Sequence, residues 1–139
     1  MKVKGLEYIL VETTDLSKWE DYALNVCGFM KNTEASNENQ LALKIDQAPF
    51  RFLITKGVSE RYVAGGFSLD NEESLELALS ELSNIGIECT RLDSIEISER
   101  KISKGFSFSD PVGNKLEFFC GRERDIIEFE SSQNISGFV

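Results

Sequence analysis

The order of apolar and polar positions divides the chain into two runs of the same layout. Residues 3–11 (VKGLEYILV) are mostly apolar and predict a buried strand. Asp15 offers an N-cap, and Leu16, Trp19, Ala23 and Val26 follow at helical spacing. Gly28 is placed to end that helix. Strands are predicted over 29–35, 40–46 and 50–56, with turn chemistry at 36–39 (SNEN). Within these, 41–46 (LALKID) alternates as a half-buried strand does. The second run starts with a strand over 61–69 (RYVAGGFSL). Asp70 and Glu73 form a capping-box pair, and Leu75, Ala78, Leu79 and Leu82 make a helical stripe that Gly86 closes. Strands over 87–91, 103–109 and 115–120 complete it, with a strong turn at Asp110-Pro111-Val112-Gly113-Asn114 between the last two.

Strand, helix and three strands are thus written twice, about 60 residues apart. The expected fold class is α+β, with paired βαβββ modules at 1–58 and 59–121. Each module buries one sheet face against its own helix. The free faces are expected to form cupped mixed sheets across a cleft, a natural ligand site. Residues 122–139 begin charged and become polar, which reads as a linker leaving the domain.

Composition narrows the chemistry. A chain of 139 residues with 41% hydrophobic residues and 10 Phe supports one ordinary globular core. The net charge of -9 argues against nucleic acid and anionic membrane as partners. The three cysteines, at 27, 89 and 120, have no CxxC spacing and predict reduced thiols of a cytoplasmic protein. No apolar run is long enough to cross a membrane, and the first residues lack a signal-peptide core. The decisive count is histidine, which is zero. Imidazole nucleophile activation, imidazole proton shuttling and His-ligated metal are excluded within this chain.

Two segments carry a family resemblance. Leu6-Glu7-Tyr8-Ile9-Leu10-Val11 through Asp15-Leu16, ending in Cys27-Gly28-Phe29, is similar to the opening strand and helix of the vicinal-oxygen-chelate superfamily. Phe106-Ser107-Phe108-Ser109-Asp110-Pro111-Val112-Gly113-Asn114-Lys115-Leu116-Glu117-Phe118 is very like its closing hairpin, Phe-x-Asp-Pro-x-Gly-x-x-Leu-Glu. That superfamily includes glyoxalase I, bleomycin-resistance proteins and type I extradiol dioxygenases. The finer resemblance is to the N-terminal domain of the biphenyl-2,3-diol 1,2-dioxygenase type. It is carried by Ala64-Gly65-Gly66-Phe67, Gly86-Ile87-Glu88-Cys89-Thr90, Arg100-Lys101 and the end, Asn134-Ile135-Ser136-Gly137-Phe138-Val139, which looks like the connector before a catalytic domain.

The resemblance implies metal-ligand slots on the first, fourth, fifth and eighth strands. Here they hold Tyr8, a residue near Arg51 or Phe52, Ala64 and Glu117. Only Glu117 is a family ligand. Iron in this class wants two histidines and a carboxylate, so the slots read as degenerate and no catalytic, cofactor or metal residue is expected. A carboxylate inside a sheet needs a partner, for which Tyr8 or Arg51 is in reach. Gly65-Gly66 lacks the context of a phosphate loop and reads as close backbone approach. The implied function is that of a metal-free N-terminal domain of an extradiol ring-cleavage dioxygenase. A C-terminal domain would bind Fe(II) and act on catecholic aromatics, and the chain alone would be inactive. Its expected partners are that C-terminal domain and further copies in a homo-oligomer. Two other readings are a stand-alone bleomycin-resistance-like protein holding a small aromatic ligand, and a metal-dependent glyoxalase-type lyase.

Overall fold

The computed structural model describes residues 1–136. Of the expected connector, Gly137, Phe138 and Val139 lie outside the described residues. The elements are β1 (Gly5–Thr13), α1 (Leu16–Asn25), β2 (Met30–Lys31), β3 (Gln40–Lys44), β4 (Phe52–Lys56), β5 (Arg61–Ser68), α2 (Glu72–Asn84), β6 (Thr90–Arg91), α3 (Ser94–Arg100), β7 (Lys104–Ser109) and β8 (Lys115–Cys120). The expected α+β class holds, with one unexpected element, α3. The chain divides into two compact units: an N-terminal unit of Tyr8–Tyr62 with the segment from Arg124, and a C-terminal unit of Val63–Glu123 with Met1–Glu7.

In the N-terminal unit the strands run β2-β3-β4-β1. β1 and β4 are parallel, joined in register from Ile9↔Phe52 to Thr13↔Lys56, while β3 is antiparallel to both β4 and β2. Asp15 caps α1 as expected, accepting from Lys18 N–H at 3.2 Å. Ala23, Leu41, Leu43 and Ile54 make the core under α1, with Val11, Leu16, Trp19, Leu24, Phe29 and Phe52 packed against it. Val26 leaves the predicted stripe and is exposed, because α1 already ends at Asn25. Gly28 then turns at φ 73°, which lets Phe29 N–H reach Ala23 O at 2.9 Å. The alternating LALKID segment behaves differently from its pattern. Leu41, Ala42, Leu43 and Lys44 are all buried, so both faces of β3 are covered.

The C-terminal unit repeats the topology as β5-β8-β7-β6, with β5 and β8 parallel and the other pairs antiparallel. Leu75, Ala78 and Leu82 of α2 bury against Leu69, Phe106, Phe118 and Cys120, and Phe118 meets Phe67, Phe106 and Phe108 edge-on. The cap of α2 is Asn71 rather than Asp70, accepting from Ser74 N–H at 2.9 Å. Asp70 instead pairs with Lys4 at 3.4 Å. Gly86 closes α2 at φ 86°, with Ile87 N–H on Leu82 O and its own N–H on Ser83 O. The strand predicted at 87–91 shrinks to Thr90–Arg91, and Asp93 opens α3 shortly after it. Its side chain accepts from Glu96 N–H while Glu96 accepts from Asp93 N–H, both at 2.9 Å. No helix among the described residues is long and apolar enough to cross a membrane.

Candidate functional site

Strand parity decides what each slot residue faces. In β8, Phe118 and Cys120 point to the α2 core. Glu117 therefore points to the opposite face. So do its register partners, Gly66 on β5 and Ser107 on β7. Ala64, two residues before Gly66, shares that face. The structure thus brings Ala64 and Glu117 to one face of neighbouring strands, both at 0% exposure. One offers a methyl group and the other a carboxylate.

That face is filled by the chain itself. A side chain on Gly105 would stand 2.8 Å from Leu92 Cδ1 and 3.3 Å from Ile102 Cδ1, so these two residues, which flank α3, lie directly over β7. Arg100, the last residue of α3 and only 7% exposed, reaches the carboxylate from there. Its Nε donates to Glu117 Oε2 at 2.7 Å and its Nη2 to Glu117 Oε1 at 2.8 Å. Nη1 donates to Glu96 O at 3.3 Å and pairs with Glu99 at 3.6 Å. Bidentate geometry of this kind is the strong form of an ion pair, and it satisfies a carboxylate that burial would otherwise penalise heavily. A buried polar partner for Glu117 is what the sequence requires, but Arg100 is not one of the two partners it suggests.

In the N-terminal unit Tyr8 is 1% exposed, with its ring 5.7 Å from that of Phe50. Arg51 forks onto Asp46. These residues do not fit a resident iron. Ala64 has no donor atom, and Glu117 would have to surrender a two-bond guanidinium fork to coordinate a cation. No group of three or more His, Cys, Asp or Glu that could hold a metal occurs among the described residues.

Other titratable groups serve the fold. Asp110 in the closing hairpin accepts from Val112 N–H and Asn114 N–H, and from the Asn114 side chain at 2.8 Å, which holds its carboxyl below the usual range. The family-like turn motif is therefore a structural latch. Glu60 takes hydrogen bonds from Thr14 and Thr13 that pull its carboxyl down to about 2. Burial pushes the Cys89 and Cys120 thiols up, so both stay protonated and poorly nucleophilic. Two surface clefts, of about 490 Å³ beside Gly86–Thr90 and Ser107–Pro111 and about 600 Å³ beside Thr13–Asp15, Trp19 and Glu60, are lined by none of Tyr8, Ala64 or Glu117.

Lys44 escapes sequence reasoning altogether. Leu41 and Leu43 face α1. Alternation puts Lys44 with Ala42 on the other face, where it is 0% exposed. Its Nζ donates to Asp125 Oδ2 and to Ile127 O, each at 2.6 Å.

Comparison with known proteins gives these features a context. Residues 6–57 match the family model described as Dihydroxybiphenyl dioxygenase BphC D1. The chain is 31% identical over 121 residues to an iron-dependent extradiol dioxygenase of Rhodococcus jostii, which covers 87% of this chain and 40% of the relative. It is 27% identical over 123 residues to a biphenyl-2,3-diol 1,2-dioxygenase of Sphingomonas paucimobilis, covering 88% of this chain and 41% of the relative. A crystal structure of catechol 2,3-dioxygenase shares the fold with a TM-score of 0.92 at 23% identity, over 99% of this chain and 49% of that one. The chain therefore spans less than half the length of these relatives, and the part it matches is their N-terminal portion. The resemblance seen in the sequence is borne out.

Proposed function

We propose, from the premise that this chain corresponds to the N-terminal domain of a vicinal-oxygen-chelate extradiol dioxygenase, that it serves as the non-metal-binding half of a longer enzyme that opens catecholic rings. The observation that carries the reading is the occupied eighth-strand slot. Glu117 is tied at both oxygens to Arg100, and Ala64 stands at the fifth-strand slot. A following domain with two histidines and a carboxylate would hold Fe(II), which supplies chelation of the diol and chemistry with O2. This chain would contribute folding stability, contacts in a cytoplasmic homo-oligomer and part of the substrate entrance. The segment 122–139 would connect the two halves. The covered face of the C-terminal unit weighs against a bleomycin-resistance-like ligand cavity there, since Leu92, Ile102 and Arg100 already lie on it.

The test is the reading frame beyond codon 139, followed by assay of its product. The expected outcome is a second domain with the two histidines and the glutamate, and a protein that loads iron and consumes O2 with catechols. A stop codon directly after Val139, together with saturable binding of an aromatic cation by the chain alone, would replace this reading with the binding-module one.

A further inference from the structure

We propose that residues 124–135 are a fastened strap belonging to the N-terminal unit, and that its fastening depends on Asp125 neutralising the buried charge of Lys44. This goes beyond the dioxygenase reading and does not depend on it. The segment has no helix or strand, yet it is bonded along most of its length. At its start, Asp125 N–H donates to Gln47 O at 3.1 Å, and the Gln47 amide donates back to Asp125 O at 2.8 Å and Ile127 O at 3.1 Å. Asp125 accepts from Ile127 N–H at 3.1 Å with one oxygen and from Lys44 with the other. The ammonium of Lys44 is thus neutralised by a residue 81 positions later in the chain.

The far end is fastened differently. A helix leaves its last carbonyls without partners, and α1 has no basic side chain in its last turn to cover them. The strap supplies the missing donors. Ser132 Oγ and Gln133 Nε2 both donate to Leu24 O, and Ser131 Oγ donates to Gly28 O at 2.7 Å. Gly28 is required at that point, since a Cβ there would stand 2.8 Å from Ser131 Oγ. Between the two anchors, Glu130 N–H meets the Met30 sulfur at 3.3 Å on β2, the outer strand of its sheet. An outer strand is the part of a sheet that proteins cover against stray pairing. The strap is thus bonded at its far end beside the C-terminus of α1.

Hydrogen–deuterium exchange on the full chain tests this with three proteins: the native chain, Asp125→Asn, and Lys44→Met/Asp125→Leu. In the native chain the Asp125 and Ile127 amides should be protected. Asp125→Asn should speed exchange over 124–134 and over 24–29 by at least about tenfold, with the α2 amides unchanged, as expected for one local opening unit. The double variant should return exchange to within a few fold of native, because an apolar pair replaces a buried ion pair without leaving a charge alone. Native amides at 125 and 127 that exchange as fast as an unfolded peptide would overturn the proposal. So would an Asp125→Asn profile identical to native. If Asp125→Asn fails to fold, the double variant decides: folded and protected supports the strap, unfolded or unprotected overturns it.

Discussion

Replacing Arg100 with Met isolates the ion pair that fills the eighth-strand slot. Met keeps most of the apolar stem, so the change removes the guanidinium and little packing. Glu117 then stays at 0% exposure and loses two hydrogen bonds, at 2.7 and 2.8 Å. Removing one partner of a buried pair costs about 3–5 kcal/mol. In a chain of 139 residues, 1 kcal/mol moves the melting temperature by about 3 °C, so Arg100→Met should melt about 10–15 °C lower. Urea unfolding of the single variants and of Arg100→Met/Glu117→Leu completes a double-mutant cycle. The double variant should recover to within about 2 kcal/mol of native, since an apolar pair of similar volume is tolerated. The coupling should then exceed about 1 kcal/mol. An Arg100→Met protein within about 1 kcal/mol of native, or additive single losses, would refute this, for the pair would then behave as a solvent-exposed one.

Two further predictions follow from local geometry. Glu60 is held down to about 2 by its threonine bonds, below its ordinary 4.5. It therefore adds stability that is complete above pH 4.5 and lost as pH falls toward 2, so Glu60→Gln should flatten the melting temperature against pH across that window; an unchanged acid slope would contradict this. Asp93→Ala breaks the capping box of α3 and should cost about 1 kcal/mol in urea unfolding; no loss would mean α3 is held by Arg100 and its neighbours alone.

The sequence shows the fold where patterns are local. The α2 stripe of Leu75, Ala78, Leu79 and Leu82 is regular, and all four pack in the core. α3 is hidden because it is only seven residues long and Ile95 and Ile97 alternate as a strand would. Its capping box, Asp93 and Glu96, has the same D-x-x-E spacing as Asp70 and Glu73 and was the available signal. Missing α3 also hides Arg100, hence the partner of Glu117. The Glu117 slot itself is legible, because the closing hairpin motif fixes its place. Lys44 is illegible in principle. Alternation makes it look solvent-facing, and its burial depends on Asp125, which no local window contains.

With both Glu117 oxygens bonded to Arg100 and no donor atom on Ala64, the chain's own slots do not fit catalytic iron. The direct measurement is anaerobic loading of the purified chain with Fe(II), removal of free metal, iron analysis, and O2 uptake with a catechol. No stoichiometric iron and no uptake above a protein-free control are expected. About one iron per chain, with catechol-dependent O2 consumption that is lost in Glu117→Gln, would contradict it.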